Sequence, residues 1–166
     1  MAKEKSISAS ASPSKDEDQE GSGSWFKYET TNLSVIASPL ASEKLTKKLF
    51  KVVKKASKAK HLKRGIKEVV KAIRKGNKGI VMLAGDISPV DVITHIPVFC
   101  EENGIPYVYV PQKAVLGAAA GSKRPTSCLM IAPFGVAAGA KKSGSSFEEY
   151  KEKYEECVEK IQELSA

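Results

Sequence analysis

Acidic residues are nearly missing from one long stretch of this chain. Between Ala41 and Gly79 only Glu43 and Glu68 stand against fifteen Lys or Arg, a local charge of +13 in a 166-residue chain whose net charge is +8. The acids gather at the ends instead, so that residues 1–24 carry −2 and residues 146–166 carry −4. This imbalance excludes an evenly mixed surface. With an isoelectric point near 9.3 it favours a polyanionic partner at one localised footprint. The sign by itself leaves RNA, DNA and an acidic membrane open.

Other absences narrow the choice. Cys100, Cys128 and Cys157 lie far apart with no C-x-x-C pair, and an odd number closes no disulfide framework, so a reduced compartment is expected. No apolar run approaches the roughly 20 residues of a membrane span, and no apolar segment follows the N-terminal charges. A soluble cytoplasmic or nuclear protein with no membrane partner is the expectation. No G-x-G-x-x-G occurs. The run from Gly117 to Lys123 resembles a phosphate loop only superficially, because it lacks the G-x-x-x-x-G-K-[ST] spacing and follows a helix. Asp86, Asp91 and His95 read as a helix-end acid pair and a surface histidine, not as a metal or acid–base site. Cys100 lies in an apolar helix without a paired base and reads as packing. Tyr107 and Tyr109 alternate along a strand as ordinary core and surface residues do. No catalytic residue, metal, cofactor or small-molecule substrate is expected, and no internal repeat is visible.

What is present is an alternation of helices and strands. Residues 1–24 are rich in Ser, Ala, Lys and acids with little to bury, which predicts a disordered tail. From Ser42, a plausible N-cap, the apolar residues Leu45, Leu49, Val52, Val53 and Ala56 recur at helical spacing among lysines. A short apolar–basic stretch around Leu62 leads to Gly65, after which Ile66, Val69, Val70 and Ile73 mark a second helix ending at Gly76. The run from Ile80 to Ala84 predicts a strand buried on both faces. Ser88-Pro89 reads as the start of a helix that runs through Val92, Ile93 and Ile96, bends at Pro97 and ends at Gly104. Tyr107 to Val110 predicts a parallel strand, Gln112 to Ala120 a closely packed, small-sided helix, and Cys128 to Ala132 a further strand after the basic loop from Ser122 to Pro125. A Gly/Ala/Ser-rich link over 136–146 precedes a charged helix over 147–166 whose apolar stripe must dock on something. The expected fold is α/β, a three-layer α/β/α sandwich with a small mixed sheet, in one domain over 25–135.

The functional signal is the segment from Leu62 to Lys71. A flexible glycine precedes a helix whose opening turn shows Lys67, Glu68 and Lys71, and the free N–H groups and positive macrodipole end there suit an anion. Lys67 and Lys71 sit one turn apart with like charge, a conflict that a phosphate between them relieves. A carboxylate such as Glu68 accepts hydrogen bonds from base edges. The plainer alternative is a solvated lysine face.

Three blocks, LKRGIKEVVKAIRKG, GIVMLAGDISPVDVITHIPVFCEENGIPYVYVP and LGAAAGSKRPT, resemble the signatures of the archaeal ribosomal L-seven-Ae family, which binds kink-turn RNA, over roughly residues 40–135. The KRGIKE and GSKRPT segments are similar to its eukaryotic H/ACA branch. The resemblance implies an α/β/α sandwich that takes bent RNA where the second helix begins. By it Lys63 and Arg64 are basic residues before the glycine, Gly65 allows close RNA approach, Glu68 reads a base and Lys71 is its partner lysine. Val92 lies at an apolar position beside the RNA, and Lys123, Arg124 and Pro125 belong to the loop that covers a flipped-out nucleotide. Kink-turn-specific members usually carry Asn where this chain has Lys67. Lys offers only donors, so general RNA affinity survives while strict kink-turn specificity weakens.

The resemblance thus implies an RNA-binding core subunit of a box H/ACA particle in the nucleus and nucleolus. Such a subunit positions guide RNA for pseudouridylation of rRNA and snRNA, part of ribosome biogenesis. Its implied partners are H/ACA guide RNA, the pseudouridine synthase subunit (dyskerin) and the other small H/ACA core proteins. The alternatives are a kink-turn-binding ribosomal, box C/D or spliceosomal subunit and, in another class, a small nucleotide-binding enzyme.

Overall fold

The computed structural model describes residues 29–134 and 147–165; the expected tail over 1–24 and the link over 136–146 lie outside them. Helix α1 spans Glu43–Lys58, and the extended Ser42 caps it by accepting a 3.4 Å hydrogen bond from the Leu45 N–H. Its five apolar residues expected to face the core are all buried. The basic stretch that follows is strand β1 (Leu62–Arg64), and α2 (Ile66–Arg74) starts directly after Gly65. Strand β2 (Lys78–Ala84) is buried from Gly79 onward, as its apolar run requires. Strand β3 is Tyr107–Val110, α4 is Lys113–Ala119 and β4 is Cys128–Phe134.

The helix between β2 and β3 differs from expectation. Instead of one bent helix from Ser88, a single 3₁₀ turn covers Val90–Val92 and α3 covers His95–Glu102. Pro97 falls in the first turn of α3, where its missing N–H removes no helical hydrogen bond, so it opens the helix and does not bend it.

The four strands form one mixed sheet in the order β1-β4-β2-β3, with β2 and β3 parallel and the other pairs antiparallel. The outer side of β3 is covered, since the Tyr109 N–H donates to the Pro39 carbonyl and the Ala41 N–H to the Tyr109 carbonyl, at 2.8 and 2.9 Å. Helices α1 and α4 pack together, and α2 packs with α3, which gives the three layers expected. Val81, Met82, Leu83, Leu129, Met130 and Ile131 are fully buried between them. Each contributes roughly 1.5–3 kcal/mol relative to exposure.

The charged C-terminal helix, α5 (Lys151–Ser165), follows helical residues 147–148 and a turn at 149–150 and docks on α1. Tyr154, Cys157 and Ile161, spaced three and four residues apart, are buried in the shared core. Phe147 meets Tyr150 and Tyr154 edge-on at centroid distances of 5.3 and 5.9 Å. Glu156 pairs with Lys48 of α1 and, at 3.1 Å, with Lys160. Among the described residues no helix is long and apolar enough to cross a membrane.

Candidate nucleic-acid interface

The strand directions put the ends of β1, β2 and β3 and the start of β4 at one end of the sheet. There the Gly65 N–H donates to the Cys128 carbonyl at 3.0 Å, Ala84 N–H to Ser127 at 2.9 Å and Gly85 N–H to Val110 at 2.8 Å. The β1–α2 junction, the loop entering the 3₁₀ turn and the end of the α4–β4 loop are thereby tied to one another. Segments about 60 residues apart in sequence share one surface.

Gly65 is held at φ +82° and ψ 159°, a region open essentially to glycine alone, and a Cβ placed on it would meet nothing within 4 Å. The residue is demanded by backbone conformation, and the space in front of it is free for a ligand's close approach. The first helical bond of α2 runs from the Val69 N–H to the Gly65 carbonyl at 3.0 Å, and glycine offers no side-chain cap. The N–H groups of Ile66, Lys67 and Glu68 therefore lack helical partners, and they add to a macrodipole of about half a positive charge.

Lys67 and Glu68 are exposed on that first turn, and Lys71 is exposed one turn further on. Among the described residues neither lysine has a carboxylate within ion-pair distance. One oxygen of Glu68 accepts from the Arg64 N–H at 3.2 Å, which fixes the carboxylate over the junction and leaves its other oxygen to accept a base amino or imino group. Arg64 is exposed beside it. Lys63 is half-buried and, by strand alternation, stands on the opposite face from Leu62 and Arg64.

Val92 is 39 % exposed on the 3₁₀ turn, an apolar side chain facing water at the same end of the sheet. Lys123, Arg124 and Pro125 are exposed on a loop that runs back along α4. Gly117 seats that loop, because a Cβ there would come within 2.2 Å of the Arg124 carbonyl oxygen. The small side of α4 was the sequence signal for such close packing, and its purpose is visible only in the fold. The Thr126 N–H donates to the Lys113 carbonyl at 3.1 Å, and the Ser122 hydroxyl accepts from the Arg124 N–H at 3.2 Å.

Sequence reasoning missed Asp86 as a brace. Its Oδ1 accepts from the Lys113 N–H at 2.8 Å, capping α4 and not the helix that follows it in sequence. The Lys113 Nζ returns a 3.3 Å hydrogen bond to the Asp86 carbonyl. His95 packs edge-on against Phe99, and no metal-holding group of His, Cys, Asp or Glu occurs among the described residues. Cys100 borders a groove of about 490 Å³ at the other end of the sheet, between Pro39, Tyr107 and Leu164. Burial pushes its thiol up to about 12, so it stays protonated at neutral pH and is a poor nucleophile.

A model of the ribosomal protein L7Ae/L30e/S12e/Gadd45 family matches residues 47–139. The H/ACA ribonucleoprotein complex subunit 2 of Bos taurus is 53% identical over 133 residues, 80% of this chain and 78% of that protein. The H/ACA ribonucleoprotein complex subunit nhp2 of Schizosaccharomyces pombe is 60% identical over 109 residues, 66% and 68% of the two chains. Among solved structures, the Giardia lamblia 15.5kD RNA binding protein superposes with a TM-score of 0.67 at 28% identity, over 80% of this chain and 99% of that one. With the family model matching residues 47–139 and relatives 53% and 60% identical, the chain belongs to the ribosomal protein L7Ae/L30e/S12e/Gadd45 family.

Proposed function

We propose that the chain is a non-enzymatic RNA-binding core subunit of a box H/ACA ribonucleoprotein, positioning guide RNA for pseudouridylation of rRNA and snRNA in the nucleolus. The carrying observation is the start of α2: an open glycine, three amides without helical partners, one braced carboxylate and, one turn apart, two exposed lysines with no carboxylate in ion-pair distance among the described residues. That turn offers cations and N–H donors to phosphates and one acceptor to a base. The names of the relatives support the particle assignment. The chemistry belongs to a separate synthase subunit, dyskerin, which this chain meets together with the other small core proteins.

The test is recovery of the tagged chain from cells, with sequencing of its RNA and mass spectrometry of its proteins. H/ACA guide RNAs and the synthase are the expected companions; box C/D RNAs alone, or no RNA, would overturn the assignment. In reconstitution, the chain with guide and substrate RNA but without synthase should form no pseudouridine.

A further inference from the structure

Helix α1 keeps one face in water. Lys44, Lys47, Lys51 and Lys58 are exposed on it, opposite the buried stripe of Leu45, Leu49, Val53 and Ala56. Lys44, Lys51 and Lys58 recur every seven residues, so they form a row with steps of about 10 Å that drifts about 20° round the helix at each step. The acids of α5 neutralise one flank of the helix only, through Glu156 on Lys48, while Lys55 donates to the Glu149 carbonyl at 3.2 Å. Lys47 pairs with Glu43 of its own helix at 2.7 Å, both half in water. Among the described residues no carboxylate lies within ion-pair distance of Lys44, Lys51 or Lys58.

The C-terminal end of this row adjoins the origin of the α4–β4 loop. Ser57, next to Lys58, donates its hydroxyl to the Ala120 carbonyl at 3.0 Å, immediately before Gly121 and the basic loop from Ser122 to Pro125. The ridge thus leads into a loop that the family resemblance implies lies over RNA. Its chemistry suits phosphates better than an acidic protein: point charges repeat along a rod, with no aromatic or apolar anchor among the exposed residues of the row, whereas protein interfaces are depleted in Lys and organised around such anchors.

We propose that the lysine ridge of α1 is a second RNA contact, a track for the backbone of a double-stranded stem that leaves the junction past the Ser122–Pro125 loop. This rests on the reading of the α2 start as the primary RNA site. Two hairpin RNAs sharing one internal loop test it, one with a stem too short to reach α1 and one with a stem long enough to run its length. The full chain should bind the long-stem RNA more tightly. The triple variant Lys44→Ala, Lys51→Ala, Lys58→Ala should lose that gain, with the log–log salt slope on the long stem falling by about 2–3 units and the short-stem slope unchanged. The matching Arg triple should keep both slopes, since only charge is required.

Equal behaviour of the Ala triple and the parent on the long stem, or no gain from the longer stem in the parent, overturns the ridge. Lys71→Ala on the short stem reads the junction separately, so a lost slope there with an intact ridge result leaves the primary site standing. Failure of the parent chain to bind either RNA sinks both readings. Unchanged RNA binding with lost binding of polyglutamate would assign the ridge to an acidic protein instead.

Discussion

At the residue scale, the α2 start is the most demanding part of the chain. Gly65 sits where an L side chain is strained whatever the surrounding space, so Gly65→Ala should cost about 1–3 kcal/mol in urea unfolding. It should also reduce RNA affinity beyond that loss, because a methyl group would fill the approach in front of the junction. Lys71→Ala should lower the salt slope for structured RNA by about one unit in filter-binding titrations. Lys67→Asn should raise the preference for a kink-turn over a plain stem-loop, because the amide adds an acceptor; equal preference would show that position 67 does not set specificity. These side chains were legible in the sequence, since a glycine, a helix start and three charges within one turn are local facts. The return of Glu68 to the Arg64 amide was not, because it depends on how β1 enters the helix.

At the element scale, helices with clean apolar periodicity were readable and short or edge elements were not. Strand β1 has three residues and two of them are basic, so only pairing with β4 makes it a strand. Pro97 looked like a bend within a helix, and the fold uses it to open one. The docking of α5 on α1 was legible as a need, given its stripe, but not as a partner. Ile161 is fully buried in that contact, so Ile161→Ala should cost about 2–5 kcal/mol in denaturant unfolding and leave short-stem RNA affinity unchanged in the folded state. A neighbouring contact, between the segment after α1 and the turn before α5, carries a pH dependence. The His61 Nδ1 lies 2.7 Å from the Tyr150 hydroxyl, and desolvation holds its imidazole below the ordinary 6.5. The unfolded chain then takes the proton first, so stability is full above pH 6.5 and declines as pH falls through the window beneath it. Thermal unfolding at stepped pH should show this decline, and His61→Gln should remove it.

At the scale of the whole molecule, charge and topology do different things. Net charge of +8 with +13 in one stretch makes RNA affinity fall steeply with salt, a property of composition that survives any detail of packing. The sheet order β1-β4-β2-β3 decides where that charge is useful, by bringing the β1–α2 junction, the 3₁₀ turn with Val92 and the end of the α4–β4 loop to one end of the sheet. The sequence by itself determined the class of fold, the core helices and central strands, the basic footprint and the glycine-led helix start, because each is written in local periodicity, charge or backbone demand. Only the tertiary structure decided that Asp86 braces α4, that Gly117 seats the basic loop, and that α5 shields one flank of α1 while its lysine ridge stays in water. Those are contacts between residues distant along the chain, and no local pattern encodes which distant surface a side chain will meet.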